Sequence, residues 1–206
     1  MKKILRPDDY VYHLAAPADL NSLYCNTRQT VNTYFTGTIN IVHASIEKKV
    51  KKLFILSSQE VYRKPRNIYS RIKYSLDLLL EGYSNFQDSL KIIILRSSNI
   101  FGQMQTQKHI IPRFISRAIK GKTLEVYGME SVKKSYIHID ELIDLFFIAE
   151  KKLLSKIEII NISNPSILLS PRDIADIITR FLKVKKNYIS NDNVVHLSIL
   201  NSKINY

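Results

Sequence analysis

Cysteine and long apolar stretches are scarce in this sequence. It has one cysteine, Cys25, among 206 residues, which excludes an internal disulfide and fits a reducing compartment. The longest purely apolar runs, such as Ile92 to Leu95, are far too short to cross a bilayer. The beginning, Met1-Lys-Lys, lacks the apolar stretch of a signal peptide. These absences predict a soluble, cytoplasmic protein that does not bind membranes.

The composition otherwise fits one globular domain with an excess of positive charge. Hydrophobic residues make up 45% of the chain, charged residues 24%, and the formal net charge is +13. A basic chain raises the question of a nucleic-acid partner. Lysine and arginine are scattered along the chain, with clusters only at 48–52 and 183–186, so nucleic acid is not the favoured partner. A cleft for an anionic substrate also benefits from positive potential.

A strand followed by a helix carries the strongest functional pattern. The apolar run Leu53–Leu56 predicts a strand covered on both faces of a parallel sheet, which delivers Ser58 and Glu60 to its carboxyl edge. In the helix that follows, Tyr69 and Lys73 share one face, a single turn apart. Tyrosine and lysine are both abundant here, so the bland alternative is an exposed helical pair that arose by chance.

The Tyr-Lys pair has the chemistry for proton transfer. A phenol has a reference pKa of about 10, and a neighbouring Lys73 ammonium favours the phenolate, so we expect the pKa of Tyr69 to move toward neutrality. Tyr69 can then exchange a proton with a substrate hydroxyl while Ser58 hydrogen-bonds the same oxygen. Hydride would leave the carbon for a nicotinamide cofactor.

Predicted strands and helices alternate along the chain, which indicates right-handed crossovers and a mainly parallel sheet. Strands are predicted at 9–16, 53–56, 91–96, 124–127, 136–139 and 156–162, and helices at 31–50, from 69 onward, 112–120, 140–152 and 171–182. Ser170-Pro-Arg-Asp173 predicts a capping box at the start of the last helix. Gly37 within a helix costs about 1 kcal/mol relative to alanine, so close packing against the sheet is expected there.

Small or polar residues follow two of these strands. Ala15 and Ala16 follow the first strand and allow a ligand to approach the backbone closely, although alanine also simply packs well. Ser98 and Asn99 follow the strand at 91–96, at the edge where α/β sheets bind ligands.

Taken together, the motifs resemble the NAD-dependent epimerase/dehydratase family of nucleotide-sugar enzymes, which are extended short-chain dehydrogenase/reductases. The matching segments are His13–Ala16, Gly37-Thr38, Leu56–Ser58 with Val61-Tyr62, Tyr69–Lys73 with Asp77, Leu95-Arg96 with Asn99 and Gly102, Ile111–Phe114, Val126–Gly128, Ile137–Asp140 and Asn161–Ser163. The resemblance implies an α/β fold: a partial Rossmann-like, mainly parallel sheet with flanking helices and a small, incomplete C-terminal substrate-binding part.

The resemblance also implies roles for individual residues. It makes Tyr69 the catalytic acid/base, Lys73 the residue that binds the nicotinamide ribose and tunes Tyr69, and Ser58 the partner of the substrate hydroxyl. It places Ala15 and Ala16 beside the cofactor.

Four further residues take roles by the same resemblance, and no metal site is implied. Ser98 joins the cofactor contacts, Asn99 lies near the sugar nucleotide, and Lys134 keeps one charge for the diphosphate where the family usually has Arg. Glu60 is a catalytic candidate, because members with an acid there are often sugar 4,6-dehydratases or decarboxylases, although some epimerases also carry it.

Two further departures from the family concern whole segments. The sequence contains no G-x-x-G-x-x-G or G-x-G-x-x-G motif, with which the family opens, so we expect the first three strands to be absent and cofactor binding to be weakened. It also ends where family members continue. We therefore predict a single domain truncated at both ends, with 1–96 as a partial cofactor-binding half and 97–206 as a partial substrate-binding part.

The leading hypothesis is a nucleotide-sugar epimerase/dehydratase that transiently oxidises a sugar hydroxyl. The cofactor is NAD, with NADP left open, the substrate is a nucleotide sugar, and a homodimer is expected by analogy. This copy is either catalytic, degenerate, or dependent on a separately encoded N-terminal piece. The alternative is a non-catalytic basic module that binds acidic polymers, with affinity that falls steeply with salt.

Overall fold

The structure, a computed structural model, describes residues 4–17, 20–62, 67–86, 89–127, 132–151 and 155–189. Its strands are β1 Tyr10–His13, β2 Lys52–Ser58, β3 Lys91–Ser97, β4 Asn99–Phe101, β5 Leu124–Tyr127, β6 Lys134–His138, β7 Ile157–Ile162, β8 Leu168–Leu169 and β9 Lys186–Ile189. Its helices are α1 Leu20–Cys25, α2 Thr27–Glu47, α3 Ile68–Phe86, α4 Ile110–Ile119, α5 Ile139–Lys151 and α6 Pro171–Leu182, with a short 3-10 helix at Gln59–Tyr62. The chain divides into two compact units, residues 1–100 with 137–163, and residues 101–136 with 164–206.

The first unit is built on a parallel sheet with the strand order β1-β2-β3-β7. In register, Leu53 lies beside Val11 on one side and Ile92 on the other, and Ile92 lies beside Ile157. Parallel strands all end at the same edge of a sheet, so the residues that follow them are brought together. The predicted α/β class with a mainly parallel sheet is confirmed.

Successive strand residues point to opposite faces of this sheet, and helices pack on both faces. Leu53 and Ile55 pack on the face that holds Val42 of α2 and Leu80 of α3. Phe54, between them, packs on the other face with residues of α5, including Phe146. Full burial of one such side chain contributes about 1.5–3 kcal/mol, so this alternation fixes the register of β2.

The second unit has its own apolar core. Phe114 of α4, Leu124 of β5 and Ile174 of α6 belong to one buried cluster. In this unit β5 pairs with β9 in parallel, and β6 pairs with β8 antiparallel. The predicted capping box of α6 is present: Asp173 N–H donates to Ser170 Oγ at 3.1 Å, and Ser170 N–H donates to Asp173 Oδ2 at 2.9 Å.

The division into units differs from the one that the sequence suggested, with a boundary at residue 96. Residues 137–163 return to the first unit, because β7 pairs with β3 and α5 covers one face of the sheet. The expectation for Gly37 is wrong, since a Cβ built there meets no atom within 4 Å. None of the described helices has the length and apolar character needed to cross a membrane.

Candidate active site

Polar side chains collect at the carboxyl edge of the parallel sheet. β2 ends at Ser58, which lies beside Ser97 of β3 in register. β1 ends at His13, beside Ile55. The 3-10 helix that follows β2 directly holds Glu60 at this edge.

Tyr69 joins this group from the first turn of α3. Its side chain is half-buried, and the Ser58 side chain acts on its phenol. Ser58 Oγ also accepts a hydrogen bond from the Glu60 N–H at 3.2 Å, which fixes the hydroxyl at the end of the strand. The sequence predicted this meeting of Ser58, Glu60 and Tyr69, and the structure brings the three together.

The expected effect of Lys73 on Tyr69 is wrong. Burial raises the pKa of Tyr69 above its ordinary value, the polar Ser58 side chain opposes the rise, and the charge of Glu60 adds to it. Removing a phenol from water disfavours its charged form, and here that cost outweighs the help from the surroundings. The phenol is therefore protonated at neutral pH.

Lys73 lies one turn after Tyr69, and its ammonium is enclosed. Its Nζ donates a hydrogen bond to the Leu56 carbonyl at 2.8 Å and lies 5.1 Å from the centre of the Tyr34 ring. Burial lowers the pKa of Lys73 to about 8, although the charge of Asp77 opposes the shift. The amine therefore changes its charge close to the physiological range.

The other predicted residues lie in three places. Ala15 and Ala16 are in the loop after β1, and Ala16 packs against a buried cluster that includes Tyr34. Ser98 is buried after β3, where its N–H donates to the Ile162 carbonyl at 2.8 Å. Asn99 is exposed at the start of β4.

Lys134 begins β6 in the second unit and is half-buried there. The residues that the structure describes contain no group of three or more His, Cys, Asp or Glu side chains that could hold a metal ion.

Two residues near Lys73 were given no functional role from the sequence. Tyr34 of α2 is buried and its phenol donates a hydrogen bond to the Pro17 carbonyl. His13 Nε2 lies 3.1 Å from Thr38 Oγ1, and burial, followed by the charge of Lys73, lowers the pKa of His13. The sequence does contain a pattern that points to these contacts. Tyr34 and Thr38 are one helical turn apart, so both polar groups lie on the inward-facing side of α2.

A buried ion pair anchors the helix that carries Tyr69 and Lys73. Asp77 lies one turn after Lys73 and accepts a hydrogen bond from Arg96 Nε at 2.8 Å. Arg96 Nη1 also donates to the Tyr62 hydroxyl at 2.9 Å, and Tyr62 donates to Asn161 Oδ1 at 2.7 Å. These contacts tie α3 to β3 and β7, and they fix the rotation of the helix about its axis.

The sequence is similar to that of known proteins over most of its length. A model of the NAD dependent epimerase/dehydratase family matches residues 1–163. The low-salt glycan biosynthesis protein Agl12 of Haloferax volcanii is 30% identical over 146 residues, which are 65% of this chain and 47% of that protein. The chain thus spans less than half the length of this relative.

Solved structures share the fold. The UDP-N-acetylglucosamine 4-epimerase of Methanobrevibacter ruminantium, in complex with UDP-N-acetylmuramic acid, matches with a TM-score of 0.81 and 23% identity over 92% of this chain and 66% of its own. The dTDP-glucose 4,6-dehydratase of Streptomyces venezuelae, solved with NAD, matches with a TM-score of 0.79 and 20% identity. The match covers 92% of this chain and 63% of the dehydratase chain. The fold is Rossmann-like, and the chain belongs to the NAD-dependent epimerase/dehydratase family.

Proposed function

We propose that the chain takes part in nucleotide-sugar chemistry in which a sugar hydroxyl is transiently oxidised with NAD and hydride is later returned. The observation that carries the proposal is the placement of Ser58 at the carboxyl end of β2 with Tyr69, whose phenol it acts on, and Lys73 one helical turn further along α3. Membership of the family supports the reaction class.

The residues at this edge fit the nicotinamide end of NAD. Ala15 and Ala16 are small enough for close approach, and Lys73 offers an ammonium for the ribose. Two buried polar atoms, Ser98 Oγ and His13 Nδ1, have no hydrogen-bond partner among the described residues. When bound, NAD supplies the hydride acceptor and donor. NADP stays an open alternative.

Tyr69 is the proposed acid/base. Its phenol oxygen takes the proton of the sugar hydroxyl during oxidation and returns it when the carbonyl is reduced, while Ser58 Oγ hydrogen-bonds the same oxygen. The raised pKa of Tyr69 means that the group is an acid at neutral pH before ligands bind. It is therefore set for the return step, and the oxidation requires that its proton first be lost.

Glu60 favours a 4,6-dehydratase-like or decarboxylase-like reaction over simple epimerisation. Its charge raises the pKa of Tyr69, and Glu60 follows directly after β2 at the sheet edge where Ser58 lies. A carboxylate in this position can assist proton transfer at the carbon next to the oxidised one. Elimination of water from a sugar requires such a transfer.

The contacts with the rest of the substrate stay predictions. Asn99 is a proposed contact of the sugar nucleotide, and Lys134 is a proposed contact of its diphosphate. A homodimer and a cytoplasmic location also stay predictions.

The proposal is tested by melting and by turnover. NAD at about a hundred times its dissociation constant should raise the free energy of unfolding by about 2.7 kcal/mol. With dTDP-glucose or UDP-glucose added, mass spectrometry should detect loss of one water from the sugar. Tyr69→Phe should keep the stabilisation by NAD and abolish the conversion. Tyr74→Phe, at an exposed position of the same helix, should change neither. No stabilisation by NAD at any concentration, together with no conversion of either sugar nucleotide, would contradict the proposal.

A second candidate function is the binding of an acidic polymer by the second unit. Its described residues include twelve Lys and Arg but three Asp and Glu, whereas those of the first unit include twelve and eleven. The basic residues of the second unit are Lys108, Arg113, Arg117, Lys120, Lys122, Lys133, Lys134, Arg172, Arg180, Lys183, Lys185 and Lys186. The three acids, Glu125, Asp173 and Asp176, each contact one of them. Among the described residues, most of the excess of positive over negative charge therefore lies in the second unit.

A labelled single-stranded oligonucleotide tests this candidate. Fluorescence anisotropy should give binding that weakens steeply with salt, and replacing both Lys120 and Lys122 by Glu should lower the slope of log K against log salt by about 1.4. The matched control replaces Lys48 and Lys49, which likewise follow the C-terminal end of a helix in the first unit. Equal effects of the two double variants would show a response to net charge alone and would reject the second unit as the site.

A further inference from the structure

Tyr34 connects the two parts of the site on which a cofactor would depend. It is 2% exposed on α2, and its phenol donates a hydrogen bond to the Pro17 carbonyl, in the loop that carries Ala15 and Ala16. The face of its ring lies 5.1 Å from Lys73 Nζ. One side chain therefore touches both the loop after β1 and the ammonium on α3.

The Lys73 ammonium needs such a neighbour. Only 8% of the residue is exposed, and burial penalises its charged form. The Leu56 carbonyl accepts one of its three N–H groups, at 2.8 Å. The negative face of an aromatic ring attracts a cation, and the attraction is stronger where water is excluded. The Tyr34 ring thus stabilises the charge that burial disfavours.

We propose that Tyr34 is a positioning residue for Lys73. Its ring holds the Lys73 ammonium beside the carboxyl end of β2. Its hydroxyl fixes the loop that contains Ala15 and Ala16 against the Tyr34 side chain. The purpose of this arrangement rests on the proposed function, because it is at the nicotinamide ribose that Lys73 would act.

A purely structural role for Tyr34 is the competing explanation. The ring belongs to a buried apolar cluster with Leu23, Ile72 and Leu76, so its replacement would lower stability in either case. Loss of stability alone therefore decides nothing. The two explanations differ in whether the ring changes the proton affinity of Lys73.

The ionisation of Lys73 is the deciding measurement. Acylation of single lysines can be followed by mass spectrometry as a function of pH, because only the neutral amine reacts. In Tyr34→Leu the midpoint for Lys73 should fall by about 0.5–1 pH unit, since a desolvated cation–π contact is lost. In Tyr34→Phe, which keeps the ring, it should stay where it is. Lys52, buried at the opposite edge of the sheet, is the internal reference and should not move.

A second series keeps the proposal testable if Tyr34→Leu does not fold. Tyr34 is replaced by phenylalanine and by phenylalanines with increasing numbers of fluorine atoms, which keep the ring shape but weaken its negative face. The Lys73 midpoint should fall stepwise with fluorination. Equal midpoints across the series would show that Tyr34 only packs, and would overturn the proposal. Failure of the proposed function would appear elsewhere, as no stabilisation of the unaltered protein by NAD together with no conversion of either sugar nucleotide.

Discussion

Asp77 and Arg96 determine which face of α3 meets the carboxyl edge of the sheet. Tyr69, Lys73 and Asp77 are spaced by four residues each and so share one face of the helix. Asp77 is 1% exposed, and its carboxylate is held by Arg96 of β3. Because the helix is anchored at its third turn, its first two turns present the phenol and the ammonium to the site.

Removal of Arg96 should be far more costly than removal of the whole ion pair. In Arg96→Met the buried carboxylate loses its partner, and we expect the free energy of unfolding to fall by about 3–5 kcal/mol. Combining this change with Asp77→Leu removes the stranded charge as well and should restore much of the loss. Urea unfolding of the two single variants and the double variant measures the difference.

The loss in Arg96→Met should also depend on pH. Burial raises the pKa of Asp77 in the native chain, and Arg96 opposes that rise. Without Arg96 the folded-state pKa rises further above the unfolded value of about 3.9, so the folded state binds the proton more tightly than the unfolded state. The deficit should shrink as pH falls into the acidic range. A deficit that is constant with pH would show that Asp77 is not the cause.

Helix glycines are the clearest test at the scale of single elements. Gly37 in α2 and Gly82 in α3 both face open space, since a Cβ at either position meets nothing within 4 Å. Gly121, which follows α4, also faces open space but has a φ of +67°, in the left-handed region that favours glycine.

Gly37→Ala should stabilise the protein by about 0.5–1 kcal/mol, because alanine loses less backbone entropy in a helix. Gly82→Ala should act in the same direction. Gly121→Ala is the control and should destabilise, because the same methyl group is added at a backbone angle that strains it. Urea midpoints compare the three variants, and destabilisation by Gly37→Ala would indicate close packing that the structure lacks.

Local patterns predicted the long elements but not the short ones. α2 and α3 carry a helical period over most of their length, and β2 and β3 contain apolar runs of four residues, so the sequence was sufficient for them. The two residues of β8 and the polar Lys-Asn-Tyr-Ile of β9 contain no such period. They are strands because β6 and β5 offer them pairing partners, which local sequence does not encode.

At the candidate site, the spacing of Tyr69 and Lys73 and the strand end at Ser58 were enough to predict that these groups meet. The direction of the pKa shift of Tyr69 was not predictable, because it depends on how much water the surrounding residues exclude. The contact of Tyr34 with Lys73 likewise needs two helices to pack at one angle.

For the whole molecule, the return of residues 137–163 to the first unit is the decisive feature. A chain that ends at residue 136 lacks Phe146 and Ile162, which cover Phe54 and Ile93 on one face of the sheet. We expect it to bind hydrophobic dyes and to unfold without a cooperative transition. A chain that ends at residue 163 contains the complete first unit and should melt cooperatively by circular dichroism. Cooperative melting of the shorter chain would show that β7 is dispensable.

The pairing of β7 with β3 also affects how the chain folds during translation, because β7 is synthesised long after β3. Roughly 60 residues separate the two strands, and at about 5–20 residues per second their synthesis takes about 3–12 seconds. Throughout that interval, the face of the sheet that α5 later covers and the edge of β3 that β7 later pairs with are both exposed. The chain should therefore require chaperone protection during translation, which links its yield in cells to the speed of elongation between β3 and β7.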